Sequence, residues 1–140
     1  MSQNEENELI KFIQENERNI NINNSLDYAK IIVNKLKYDK IVKKYLTKLK
    51  SYSKSTYIHS LNVAIISTII SLGMKMDAEN IIDIAKSALL HDIGKIKINK
   101  DILDKPDLLT KCEYEGVQMH SLYGYSMLRD EKINQYIKLG

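Results

Sequence analysis

The feature that most constrains this chain is its shortage of helix breakers. Its 140 residues hold one proline and five glycines, while apolar residues recur at three- and four-residue spacing along most of the length. The pattern predicts an all-α fold. A first helix is expected over about Asn4 to Arg18, with Leu9, Ile10, Phe12 and Ile13 as its apolar residues, followed by an Asn-rich loop over Asn19 to Asn24. Ser25 reads as the N-cap of a second helical region, striped by Ala29, Ile32, Val33 and Leu36 and then, past a break near Tyr38 to Lys40, by Val42, Tyr45, Leu46 and Leu49. A third helix over about Ser53 to Leu72 is expected to end on Gly73 as a left-handed C-cap. A fourth begins after the N-cap Asp77 and runs through Ile81, Ile82, Ile84, Ala85, Ala88 and Leu89 into His91 and Asp92.

Periodicity dissolves from Ile93 to Leu109, around Gly94 and Pro106, which predicts a long connection with a short helix near Asp101 to Asp104. Thr110 and Glu113 form a capping box for a fifth helix carrying Met119, His120, Tyr123, Met127 and Leu128, and a last short helix covers about Glu131 to Leu139. The length suits one domain with a real core: an N-terminal helix and linker over 1–24, then the main unit over 25–140.

The formal charge of +3 is unevenly spread, with a lysine-rich stretch from Lys35 to Lys54. No aromatic or arginine interleaving marks it as a nucleic-acid site, so it reads as a solvated face and no DNA partner is expected. The single cysteine, Cys112, has no partner for an intramolecular disulfide or a zinc knuckle, and fits a reduced, cytoplasmic setting. The start of the chain is acidic and polar, unlike a secretory signal, and the apolar stretch from Val63 to Leu72 is short and interrupted by Ser67, Thr68 and Ser71. No membrane span is expected.

The chemistry concentrates in Leu90-His91-Asp92-Ile93-Gly94-Lys95. A neutral imidazole and an ionised carboxylate both ligate borderline divalent ions, a carboxylate can bridge two of them, and a lysine one turn later can meet a phosphate oxygen. One His-Asp pair alone is more often a hydrogen-bonded structural pair. The other two histidines, His59 and His120, fall on separate helices in apolar stripes where each side chain is expected to point inward. Three histidines converging with Asp92 are more economically read as a metal site than as three satisfied core histidines.

Tyr57-Ile58-His59-Ser60-Leu61-Asn62-Val63 resembles the first-ligand motif of HD-GYP domains, and His91-Asp92-Ile93-Gly94-Lys95-Ile96 resembles the pair that names the HD superfamily. Ile102-Leu103-Asp104-Lys105-Pro106 with Leu109-Thr110 is similar to that family's linker, and His120 with Gly124, Tyr125 and Leu128 to its next ligand helix. The resemblance runs from about Ser25 to Leu139. It implies an all-α HD helical bundle, incomplete at its C-terminus. It also implies that His59, His91 and Asp92 bind a first metal, that Asp92 bridges to a second held by His120, and that Lys95 faces the scissile phosphate. The implied cofactors are two divalent ions, iron or manganese. The implied activity is hydrolysis of cyclic-di-GMP, with the attacking hydroxide and the phosphate oxygens both on the metals.

The family's His-His-Glu group, Gly-Tyr-Pro loop and distal aspartate ligand have no match in these residues, and Ser55 stands where some members carry a glutamate for a third metal. The resemblance therefore implies an impaired enzyme module with two metals at most. Two other functions stay open. One is a degenerate HD domain acting as a non-catalytic binding or interaction module in signalling; the other is a general HD nucleotide phosphohydrolase. With an apolar surface left uncovered where those segments would pack, the stripes that include Ile65, Ile66, Ile69, Ile70, Ile81 and Ile82 are expected to drive self-association or to leave the fold only marginally stable.

Overall fold

In the computed structural model of the chain, which describes residues 1–139, the described residues form α-helices and one 3-10 turn and no strand. The order is α1 (Gln3–Asn16), α2 (Ser25–Leu36), α3 (Lys40–Tyr52), α4 (Lys54–Gly73), α5 (Ala78–Leu90), the 3-10 turn (Ile93–Lys97), α6 (Lys100–Leu103), α7 (Lys111–Gln118), α8 (His120–Leu128) and α9 (Gln135–Leu139). The all-α class expected from the periodicity is the class observed.

The helix starts follow side-chain chemistry. Asp39, Ser53 and Asp77 each accept backbone N–H bonds at the openings of α3, α4 and α5, and Thr110 with Glu113 closes a capping box on α7. Ser25 is different. It is the first residue of α2 rather than its cap, and its hydroxyl donates back to the Ile22 carbonyl at 3.3 Å.

Gly73 also departs from expectation: it is the last residue of α4, and the left-handed position falls on Lys75 at φ 56°. Met76 N–H donates to the Ser71 carbonyl at 3.2 Å and Lys75 N–H to that of Leu72 at 3.1 Å. These are the two bonds of a Schellman motif, and they fix the left-handed residue two positions beyond the glycine.

The fifth helix is two helices. The chain breaks at Met119, whose N–H bonds to the Gly116 carbonyl only three residues back at 3.2 Å. Tightening of the last turn of α7 and the low helix propensity of Gly116 end that helix and let α8 leave in a new direction. Tyr123 and Met119, expected in one inward stripe with His120, are accordingly exposed, while Leu128 is buried. The last helix is shorter than expected, Gln135–Leu139.

The core is centred on α5, which packs against α1, α2, α3, α4 and α9. Ile81, Ile82, Ala85 and Leu89 are buried there with Leu9 and Ile13 of α1, Ile32 and Leu36 of α2, and Val42 and Leu49 of α3. A short connection folds α5 back along α4, whose buried residues are small: Thr56, Ser60, Ala64, Thr68 and Ser71, with Leu72. Small side chains let two backbones approach closely. The Thr68 and Ser71 hydroxyls meet their own helix, donating to the carbonyls of Ala64 at 2.7 Å and Thr68 at 2.9 Å. Four larger apolar residues, Ile58, Ile66 and Ile70 of α4 and its C-cap Met74, are exposed. By length and composition α4 is apolar enough to cross a membrane, longer than the short stretch expected, but its small-residue face packs inside the bundle.

Candidate metal centre

The end of α5 delivers Asp92 into the interior. His91 is the C-cap of α5, and the next residues tighten into the 3-10 turn, with Lys95 N–H donating to the Asp92 carbonyl at 3.0 Å. The Asp92 side chain is only 3% exposed, and both of its oxygens have cationic or imidazole neighbours. Oδ1 lies 3.4 Å from His120 Nε2. Oδ2 lies 3.4 Å from His91 Nε2 and 3.9 Å from His59 Nε2, and accepts a 2.7 Å bond from Lys95 Nζ.

The structure thus brings together all five residues singled out in the sequence: His59 from α4, His91 and Asp92 from the end of α5, Lys95 from the turn and His120 from the start of α8. One expectation about them is corrected. The His59 side chain is 57% exposed rather than turned into the core. The inward row of α4 is occupied by Thr56 and Ser60, so His59 sits at the rim, its ring edge-on to His91 at 5.5 Å between centroids.

Two of the imidazoles are aimed by backbone carbonyls three residues earlier. His91 Nδ1 lies 2.7 Å from the Ala88 carbonyl and His120 Nδ1 lies 2.7 Å from that of Val117. A carbonyl can only accept, so in each ring Nδ1 carries the proton and Nε2, the nitrogen facing Asp92, keeps its lone pair in the neutral form. Such anchoring fixes tautomer and ring plane together. Sequence reading did not find these two carbonyls, because any residue supplies one; the helix geometry alone selects them.

Electrostatics keep Asp92 charged. Burial pushes its carboxyl pKa up, but the His91 imidazole in its protonated form and the hydrogen-bonded Lys95 ammonium outweigh burial and hold it well below the usual carboxylate range. The same pairing with Asp92 raises His91, against the downward pull of its own burial.

The donor set suits a divalent ion. One ring nitrogen each from His59 and His91 and one carboxylate oxygen of Asp92 lie within 4.8 Å of one another. That is the spacing of atoms sharing one ion, and imidazole with carboxylate is a combination accepted by Mn, Fe, Ni and Zn. The other Asp92 oxygen, facing His120, offers a second position on the far side of the same carboxylate. Lys95 occupies the Oδ2 side as a counter-cation.

The HD domain family model matches residues 56–138. A 3′3′-cGAMP-specific phosphodiesterase 3 of Vibrio cholerae is 37% identical over 78 residues, covering 54% of this chain and 17% of that protein. A cyclic di-GMP phosphodiesterase of Pseudomonas aeruginosa is 33% identical over 85 residues, covering 61% and 20% respectively. Another, of Thermotoga maritima, is 38% identical over 73 residues, covering 52% and 20%. The chain spans about one fifth of the length of these curated relatives. No solved structure matches it.

Proposed function

The chain belongs to the HD domain family, and from that premise we propose that it is a metal-dependent phosphodiesterase module acting on cyclic dinucleotides, with cyclic-di-GMP as the first candidate. The family is metal-dependent and the relatives carry cyclic dinucleotide phosphodiesterase names. The observation that carries the reading is the convergence of three imidazole Nε2 atoms, from three helices, on the two oxygens of one buried carboxylate.

In this reading His59, His91 and Asp92 hold one divalent ion and Asp92 with His120 holds a second, iron or manganese. Such ions supply Lewis acidity and lower the pKa of bound water. The chain's own part is to orient the imidazoles through Ala88 and Val117 and to keep Asp92 ionised. Lys95, released from Asp92, is placed to meet a phosphate oxygen. The module is assigned to residues 25–140, with 1–24 an added helix and linker packed onto it, and a cytoplasmic setting fits the chemistry.

Three protein donors on one ion and two on the other leave half or more of a six-coordinate shell to water or substrate. That count favours slow turnover, and it supports a second reading in which the module binds metal and nucleotide without hydrolysis. Metal content and cyclic-di-GMP turnover, measured on the same manganese-loaded sample, separate the two. Asp92→Ala is expected to abolish metal uptake, since it removes the only group that both ions share, whereas Lys95→Ala keeps the metal and weakens phosphate contact. Unchanged metal content in Asp92→Ala would remove the centre from the proposal, and rapid turnover by the unaltered chain would overturn the donor-count argument.

A further inference from the structure

Asp92 and His120 lie on segments that meet where the 3-10 turn touches the first turn of α8. A β-carbon added at Gly94 would lie 1.8 Å from the His120 carbonyl oxygen, 2.8 Å from its carbonyl carbon and 2.6 Å from the Gly124 nitrogen. All three are backbone atoms, so no rotamer change relieves the overlap. The chain's other described glycines differ: Gly73 and Gly116 have nothing within 4 Å, and a β-carbon at Gly124 meets its nearest neighbour at 3.6 Å.

We propose that Gly94 is a positioning residue for the second metal position, so that the centre is built in two tiers. The inference rests on the metal reading above. The first tier, His59, His91 and Asp92, belongs to α4 and the end of α5, which pack directly on each other. The second adds His120, and His120 reaches Asp92 only because the α8 backbone can lie against a residue that has no side chain.

The far end of α8 is held independently. Tyr45 Oη, with one hydrogen to donate, lies 2.6 Å from the Met127 carbonyl and 2.8 Å from Glu131 Oε1, Lys44 Nζ donates to the same Glu131 oxygen at 2.6 Å, and Leu128 is buried. A wedge at position 94 therefore swings the His120 end of the helix about a fixed Met127 end. Restoring an ordinary carbon–oxygen contact of about 3.5 Å requires a displacement of roughly 1.5 Å or more. The 3.4 Å approach of His120 Nε2 to Asp92 Oδ1 does not survive that shift, while the His59–His91–Asp92 group is left in place.

The test is manganese uptake by the full chain, measured by equilibrium dialysis. The unaltered protein takes up two ions. Gly94→Ala takes up one, with an affinity within about twofold of the tighter site, and matches His120→Ala; Gly116→Ala takes up two. Two ions at unaltered affinity in Gly94→Ala, or none, overturns the inference. Should Gly94→Ala fail to fold by circular dichroism, Gly124→Val wedges the same seam from the α8 side, and retention of two ions there is equally decisive. Amide exchange in the metal-free protein gives a readout that does not depend on ions. Gly94→Ala is expected to speed exchange across residues 120–124 about tenfold and leave α5 unchanged, and equal exchange across 120–124 overturns the inference. If the unaltered chain takes up no manganese, the metal reading fails, and the exchange result still decides whether Gly94 seats α8.

Discussion

At the scale of the residue, the centre depends on a buried carboxylate that stays charged because cations and imidazoles surround it. The cost of that arrangement appears on His91, whose pKa is raised above the ordinary histidine value by Asp92. A raised folded-state value means that the metal-free fold gains stability from this group below its unfolded value and loses it as pH rises through the folded value. Ion binding runs in the opposite direction, because Nε2 must be unprotonated to ligate. Between the ordinary and the raised value each first ion bound releases a proton, and affinity climbs with pH by up to about tenfold per unit. Calorimetric manganese titrations in buffers of different ionisation heat measure this release. Apparent heats that do not vary with the buffer would contradict the assignment of His91 as a ligand.

At the scale of the element, what could be read from sequence followed from local chemistry. Asp77 and Thr110 announce the starts of α5 and α7 because their oxygens satisfy the free N–H groups of a helix within three residues. The His-Asp pair and both other histidines were visible for a related reason: few residue types do that chemistry, and the chain holds only three histidines. The break at Met119, the exposure of His59 and the seat of α8 on Gly94 were not legible, since each depends on which surfaces meet in three dimensions. The α4–α5 turn shows the same limit. Gly73 is the residue chemically suited to the left-handed position, yet the Schellman bonds place that position on Lys75. Lys75→Gly is expected to stabilise the fold by about 0.5–1 kcal/mol, and Gly73→Ala, inside the helix with open space around it, by a similar amount. Urea midpoints measured at unchanged slope test both, and a lower midpoint for Lys75→Gly would refute the turn assignment.

For the whole molecule, the distribution of apolar residues over α4 matters more than their number. Ile81 and Ile82, expected to need covering, are satisfied within the core, while Ile65 and Ile69 are half-buried. The unsatisfied residues are Ile58, Ile66, Ile70 and Met74, at 45, 57, 56 and 69% exposure. They recur in four-residue steps, with Asn62 between the first two, and form a straight ridge on a helix that has no charged residue between Lys54 and Lys75. Ridges of that spacing interdigitate when two helices cross, and with no charge along the row nothing repels a second copy. Concentration-dependent self-association through α4 is therefore expected. Sedimentation velocity over a concentration series should show it for the unaltered chain, and Ile66→Lys combined with Ile70→Lys should shift the population to monomer. Both residues lie on the outer face, away from the small-residue face that packs on α5, so folding and manganese uptake should be unchanged in the double variant. An unaltered chain that stays monomeric across the series would show that the ridge is tolerated in solvent, and a double variant that associates equally well would move the interface elsewhere.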